Sequence, residues 1–333
     1  FDWDVDLTSG YAHSFLANVS RRPGTDRFSG CDTPEIGERL REGRFQALLV
    51  MGWHLKAYLQ GVLAAKRLGI PVMVRGDSHL ATPRSRVKKA AKALIYPPLL
   101  RLFDAALYVG RRSRAYYERY RYPRDRLFFS PHSVDNAWFA ARATAVERER
   151  LRSAHGIAHD AMVCLFAGRL VPFKRPGDLI AAAAQCETRA EVMIAGSGEL
   201  EPEIEDAAAA CGVRLHLLGF RNQSEMPAAY AAADCLVLPS AHETWGLVAN
   251  EALACGRPVV VSDACGCAPD LAKDGSVGRT FPAGNTAALA AALSDLAARP
   301  PSTPAIAAVS AAYSLDAAVA GIGSALERIV ASA

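Results

Sequence analysis

The sequence predicts an α/β protein made of two domains, each a doubly wound parallel sheet. Three observations predict it. Residues 161–299 alternate short apolar runs with helix-forming stretches, as a parallel sheet covered on both faces requires. The first half repeats that alternation less completely. The apolar run Cys235–Leu238 leads through a polar loop into a short helix, and open α/β sheets bind ligands in the loops that follow such strands. With 333 residues and 51% hydrophobic side chains the chain can bury two ordinary cores.

In the first half, strands are expected at Ala47–Met51, Val72–Arg75, Ala105–Val109 and Leu127–Ser130. Helices are expected at Leu55–Leu68, at Ser85–Leu102 broken by Pro97 and Pro98, and at Ser113–Arg119. The charged, helix-prone stretch Ala140–His159 reads as the connection between the domains. The second half places strands at Met162–Ala167, Val192–Ala195, Arg214–Leu218, Cys235–Leu238, Val259–Ser262 and Val277–Phe281. Helices fall between them at Gly177–Cys186, Glu199–Cys211, Glu225–Ala233, Leu247–Cys255 and Thr286–Ala298, several with alanine runs that pack closely on a sheet. Gly256 is placed to end its helix in the left-handed conformation, and Pro258 opens the next strand. After Pro300, Pro301 and Pro304 comes a final helix near Leu315–Val330.

Charge is uneven. Residues 1–150 carry 26 Lys and Arg against 15 Asp and Glu, whereas residues 151–333 carry 12 against 19. The first half therefore faces either something anionic or simply solvent. Eight scattered cysteines include no Cys-x-x-Cys pair, which fits a reducing cytoplasm and argues against a zinc site. No apolar run approaches the ~20 residues that span a bilayer, and no signal peptide is visible.

Glu243 and Glu251 stand eight residues apart, followed by Ala-Leu-Ala-Cys-Gly-Arg-Pro-Val-Val. One carboxylate lies in the loop and the other inside the helix. The helix start near Gly246 and Leu247 offers unpaired amides and a partial positive charge of roughly half a unit. Two carboxylates beside an anion site suit a ligand that bears both hydroxyls and phosphates. A second segment, Phe166-Ala-Gly-Arg-Leu-Val-Pro-Phe-Lys-Arg-Pro, runs from strand through loop to helix and sends Arg169 and Lys174 off the same strand end beside Gly168. Cations at a helix start are disfavoured unless they meet an anion.

These motifs resemble the donor-site signatures of the retaining GT-B glycosyltransferases of family 4, the glycosyl transferases group 1. The resemblance implies two Rossmann-like domains, 1–145 for the acceptor and 146–312 for a UDP- or GDP-sugar, with 313–333 crossing back as a helix to the first domain and the active site in the interdomain cleft. It implies that Arg169 and Lys174 hold the donor diphosphate with Gly168, that Glu243 faces the transferred sugar, and that Glu251 accepts hydrogen bonds from the ribose hydroxyls. The amides of Trp245, Gly246, Leu247 and Val248 would bind sugar hydroxyls and the distal phosphate; Trp245 stands where the family commonly has Phe. Gly196 and Gly198 match the Gly-x-Gly turn at the floor of the donor site, although tight-turn geometry explains them nearly as well. Gly219, Phe220 and Arg221 match the loop that contacts the base, with Phe220 as readily a core residue. Pro131-His-Ser-Val-Asp-Asn resembles the turn entering the hinge, where His132 and Asp135 are structural. Members of the family usually open with a strand and a Gly-rich loop, and nothing in residues 1–44 matches it, so the first domain is expected to be truncated at its N-terminal side.

In the first half Gly52-Trp-His and Arg75-Gly-Asp-Ser-His follow strands, so His54, Asp77 and His79 can reach donor sugar or acceptor, or be structural. The two overlapping Asp-x-Asp patterns in residues 2–6 resemble a GT-A metal motif but follow no strand and are read as non-metal; the resemblance implies neither metal nor cofactor. Residues 83–103 hold six basic residues, no acid before Phe103, and an apolar stretch. They suit an anionic membrane surface or a buried helix with a solvated basic side, and nucleic acid is not expected. The implied activity is retaining transfer from a nucleotide-diphosphate sugar to a saccharide or lipid-linked acceptor in polysaccharide, cell-envelope or glycolipid synthesis, in the cytoplasm or on the inner membrane face. A GT-B sugar-nucleotide epimerase, a metal-dependent GT-A transferase and a non-catalytic nucleotide-sugar-binding module remain rivals.

Overall fold

A computed structural model describes residues 4–81, 85–272 and 275–331. They form two compact units, 7–131 with 316–331 and 4–6 with 132–315. The first unit is a four-stranded parallel sheet of β1 (Leu48–Val50), β2 (Val72–Gly76), β3 (Ala105–Tyr108) and β4 (Leu127–Phe129), in that order. Alternation along the strands splits the side chains between two faces. Val72 and Val74 pack with Val62, Phe103, Tyr116 and Tyr117 under α1 (Ile36–Gly43), α2 (Lys56–Arg67), α3 (Arg86–Leu100) and α4 (Arg111–Arg119). Met73, Ala105 and Leu107 face the other way, onto Ala325 and Ile329 of the chain's last helix, Leu315–Val330.

The second unit opens with α5 (Asn136–Arg142) and α6 (Ala145–Ala154). Six parallel strands follow: β5 (Met162–Ala167), β6 (Ala190–Ala195), β7 (Leu215–Gly219), β8 (Cys235–Leu238), β9 (Val259–Ser262) and β10 (Gly278–Phe281). Between and after them come α7 (Pro176–Ala183), α8 (Glu201–Cys211), α9 (Met226–Ala232), α10 (Leu247–Ala254), α11 (Ala268–Leu271), α12 (Thr286–Ala298) and α13 (Thr303–Ala312); the last helix is α14. The spatial order is β10-β9-β8-β5-β6-β7. The chain winds outward from β5 to β7, returns, and winds outward again from β8 to β10. This is the doubly wound arrangement, with its switch point between β5 and β8. Both central strands are wholly or almost wholly buried, and Cys164, Phe166, Val192, Ile194, Val237 and Val260 form the core with Leu179 and Leu293.

Two expectations need correction, and one helix is added. Pro97 and Pro98 do not break α3, which continues to Leu100. Each proline leaves one carbonyl a turn earlier without its amide partner, but those belong to the exposed residues Ala93 and Leu94, which solvent can reach, while Leu100 and Phe103 anchor the segment in the core. Residues 140–159 are no free connection. Arg152 of α6 is almost fully buried and bonds Asp234 at 2.9 Å and the carbonyls of Ala232, Ala158, His159 and Ala161, which fastens α6 to the second unit. The chain consequently passes between units at 131/132 rather than near 145. The structure adds a helix that the sequence reading did not place: Ser302 caps α13, and Pro304 sits in its first turn, where an amide would have no acceptor.

Candidate functional site

The switch point brings together Gly168, Arg169, Lys174, Glu243 and the start of α10, whereas Gly196 and Gly198 follow β6 and Gly219, Phe220 and Arg221 stand at the end of the edge strand β7. Beyond β5 the chain forms a loop at Gly168–Val171, a single 3-10 turn at Pro172–Lys174, and then α7. Beyond β8 it forms the loop Pro239–Trp245 and then α10. The two loops are tied by a hydrogen bond from the Ala241 amide to the Phe173 carbonyl at 2.8 Å. Across that tie Lys174 forms an ion pair with Glu243, both side chains less than a fifth exposed. Arg169 is exposed and pairs with no described acid. The site therefore carries a neutralised, half-buried pair and an adjacent solvent-facing cation.

Gly246 caps α10 at φ +101°, a conformation that a side chain would strain, and a Cβ there would press on Leu238. The Ala249 amide turns back to the Gly246 carbonyl at 2.9 Å. The amides of Leu247 and Val248 lie in the first turn, where the helix has no acceptor for them. Gly266 donates to the Glu243 carbonyl at 2.9 Å and so fixes the loop from its other side. Cys265 lies beside that contact; burial pushes its thiol up to about 11, so it stays protonated near neutral pH and is a poor nucleophile.

Glu251 lies one turn into α10 and accepts a hydrogen bond at 2.6 Å from the wholly buried Tyr230 hydroxyl. Burial raises its carboxyl pKa, and the Tyr230 bond pulls the other way. Tyr230 went unrecognised in the sequence because it stands 21 residues away, on α9. Asn250, also missed, joins the frame: its side chain accepts from the Trp245 indole at 2.8 Å and donates to the His132 carbonyl at 3.0 Å. Trp245 itself is 3% exposed and packs between His132 and Tyr313. Its side chain belongs to the frame, and only its backbone is available to a ligand.

Gly168, Gly196 and Gly198 lie where the β5 and β6 loops touch. The Gly168 amide bonds the Ala195 carbonyl and the Leu170 amide the Ser197 carbonyl, each at 3.0 Å. A Cβ on Gly196 would overlap the Gly168 carbonyl, and one on Gly198 would crowd the Leu170 backbone. Loop packing accounts for both glycines. Gly219 accepts from the Gly196 amide at 2.8 Å, and Phe220 beyond it is 51% exposed, which rules out the core alternative. Arg221 pairs with Glu225 at 2.7 Å. Asp135 caps α5 by accepting from the Trp138 amide.

His54, Asp77 and His79 belong to the first unit. His54 is exposed and packs edge-on against Tyr58, Asp77 is half-buried after β2, and His79 is buried. Of the Asp-x-Asp patterns, Asp2 and Trp3 lie outside the described residues, and Asp4 bonds Ser224. Among the described residues no group of three or more His, Cys, Asp or Glu has the arrangement of a metal site. Pro83 and Arg84 of the basic segment also lie outside the described residues.

Comparison with known proteins gives a consistent placement. Residues 147–307 match the family model described as Glycosyl transferases group 1. The D-inositol 3-phosphate glycosyltransferase of Streptomyces coelicolor is 36% identical over 203 residues, 56% of this chain and 42% of that protein. The protein of that name in Geodermatophilus obscurus is 32% identical over 265 residues, 72% of this chain and 57% of that protein. The chain thus spans about half the length of the curated relatives it matches. Among solved structures, Anabaena Alr3699/HepE in complex with UDP superposes with a TM-score of 0.69 at 20% identity, covering 90% of this chain and 82% of that one. Sucrose-phosphate synthase from Thermosynechococcus elongatus gives 0.68 at 20% identity, covering 90% and 78%. At that identity the likeness speaks for the fold, and together with the family match it shows that residues 147–307 belong to the glycosyl transferases group 1, on a GT-B framework.

Proposed function

We propose that the protein is a retaining glycosyltransferase that moves a sugar from a UDP- or GDP-sugar to an acceptor hydroxyl, without a metal ion or other cofactor. The observation that carries this reading is the Lys174–Glu243 pair at the switch point, beside the exposed Arg169 and the first turn of α10. A departing nucleoside diphosphate gains charge as the glycosidic bond breaks. Lys174 and Arg169 would stabilise that charge as it develops. Glu243, freed from Lys174 as the phosphate replaces it, would face the transferred sugar. Glu251, held by Tyr230, would take the ribose diol, while the amides of Leu247 and Val248 and the glycine-lined loops would take the phosphate and sugar hydroxyls. In a front-face route the leaving phosphate accepts the acceptor's proton, and the new bond forms on the side the old one leaves.

HepE has been solved with UDP and with UDP-glucose, which supports a nucleotide-sugar donor here. The first unit would present the acceptor, a saccharide or lipid-linked molecule of envelope, polysaccharide or glycolipid synthesis, with His54, Asp77 and His79 as the groups nearest that task. No described helix is long and apolar enough to cross a membrane. A peripheral contact with an anionic cytoplasmic membrane face is supported by α3, where Val87 and Leu94 are more than three-quarters exposed among lysines.

The test is Lys174→Ala. If the lysine stabilises the leaving diphosphate, turnover falls by about 100-fold or more, as losing one transition-state donor typically costs, in a variant that still melts cooperatively although Glu243 has lost its partner. A folded variant with near-parental transfer removes the assignment. Product analysis without acceptor distinguishes an epimerase, activity in EDTA excludes a metal-dependent transferase, and binding without turnover marks a non-catalytic module.

A further inference from the structure

Two cavities in the first unit carry charge, and they differ in kind. The larger, about 310 Å³, is lined by Lys66, Asp104, Arg126 and Arg328, and its lysine is already paired with Asp104 at 2.6 Å. The smaller, about 190 Å³, is lined by His79, Lys89, Lys92, Tyr116, Arg119 and Tyr120, and no acid lines it. Helical spacing builds it. Lys89 and Lys92 stand three residues apart on α3, and Tyr116 and Arg119 stand three apart on α4, with Tyr120 at its C-cap.

Lys92 is the most telling of these residues. Its ammonium is half-buried, donates to the Tyr116 hydroxyl at 3.3 Å, and lies 4.6 Å from the Tyr96 ring centroid. The rings hold the cation in place without neutralising it. Neither Lys89, Lys92 nor Arg119 forms an ion pair with a described acid, whereas nearby Arg114 and Arg124 share Glu118. Three cations around one concavity repel one another unless an anion joins them. Lysine and arginine ammonium and guanidinium groups, with tyrosine hydroxyls on one wall, suit phosphate oxygens.

We propose that this cavity binds a phosphate monoester or diester group, on a soluble phosphorylated ligand or on a lipid headgroup. Leu80 on its rim, and Leu94 and Ile95 on α3, are roughly half to four-fifths exposed and would lie against the acyl side of a lipid-borne group. The site is separate from Arg169, Lys174, Glu243 and Glu251 and does not depend on the function assigned to them; its lipid-borne arm rests on the peripheral contact proposed for α3, and His79 on its wall is shared with the acceptor reading.

The experiment uses the full chain with Arg169→Gln and Lys174→Gln, which removes the other candidate phosphate site, so its outcome leaves the donor reading untouched. Inorganic phosphate is titrated calorimetrically, and co-sedimentation is measured with phosphatidylcholine vesicles with and without phosphatidic acid. Adding Lys89→Gln and Arg119→Gln, both at exposed positions, is expected to weaken binding about tenfold or more, the effect of losing charge-assisted hydrogen bonds. Lys89→Arg is expected to retain it. Saturable phosphate binding lost in the variant assigns a soluble ligand; vesicle binding alone, lost in the variant, assigns the lipid-borne one. No binding of either probe, or binding that the glutamine variant leaves unchanged with its melting temperature intact, overturns the proposal.

Discussion

At the scale of single residues, the second-unit site trades stability for a poised carboxylate. Burial opposes ionisation of Glu251 and raises its carboxyl pKa, while the Tyr230 hydrogen bond pulls the other way. For an acid whose folded pKa is raised, stability is greatest below the unfolded value. It falls as pH rises through the window between the unfolded and the raised folded pKa, and is flat above it. Glu251→Gln keeps an acceptor for the Tyr230 hydroxyl but removes the charge. The variant should therefore melt higher than the parent at neutral pH, and the difference should shrink as pH falls through that window. Its affinity for UDP or GDP should drop about tenfold or more, because each charge-assisted bond to the ribose is worth roughly 1.5–3 kcal/mol. Calorimetry and thermal melts on the same samples test both halves; unchanged nucleotide affinity would place the ribose elsewhere. The motif made Glu251 visible in the sequence. Tyr230 was not visible, since its role depends on α9 lying against α10, which no local spacing records.

At the scale of elements, α6 shows how a polar residue can hold a helix in place. Arg152 donates to one carboxylate and four carbonyls while almost wholly buried. Arg152→Met keeps the length of the side chain but strands those acceptors. Asp234 retains Arg148 at 2.8 Å and is about a third exposed, so the loss should be near the low end of the range for broken buried pairs, about 3 kcal/mol. Urea unfolding followed by a probe in the second unit measures it, and a loss under 1 kcal/mol would show that water serves those carbonyls equally well. Strands were the most legible elements. Met162–Ala167, Cys235–Leu238 and Val259–Ser262 are apolar runs bounded by polar or turn residues, and the structure has them at those bounds. Helices beside prolines were less legible, as α3 and α13 show. A proline's effect depends on which carbonyl it strands and on its turn within the helix, and both are known only once the helix is placed.

At the scale of the whole molecule, the first unit is completed only by the end of the chain. Its sheet is formed by residue 129, yet the helix covering one face begins after the entire second unit has been threaded. The Ser130 hydroxyl donates to the Ala318 carbonyl at 3.0 Å across 188 residues of sequence. The sequence showed an apolar helix near Leu315 but not how closely it could approach the sheet; that depends on two glycines with opposite surroundings. A Cβ on Gly321 would overlap the Phe129 carbonyl, which is backbone and cannot move aside, whereas a Cβ on Gly323 would meet nothing within 4 Å. Both stand in α14, where alanine is preferred over glycine by about 0.5–1 kcal/mol. Gly323→Ala should therefore stabilise the first unit by about that amount. Gly321→Ala should destabilise it despite the same gain in helix propensity, because the helix must lift from Phe129 and loosen the contacts of Ala325 and Ile329 with Met73 and Leu107. Hydrogen exchange separates the outcomes: faster exchange along α14 and β3 in the Gly321 variant alone is expected, and equal stabilisation by both substitutions would mean that α14 does not seat against the sheet as closely as its glycine implies.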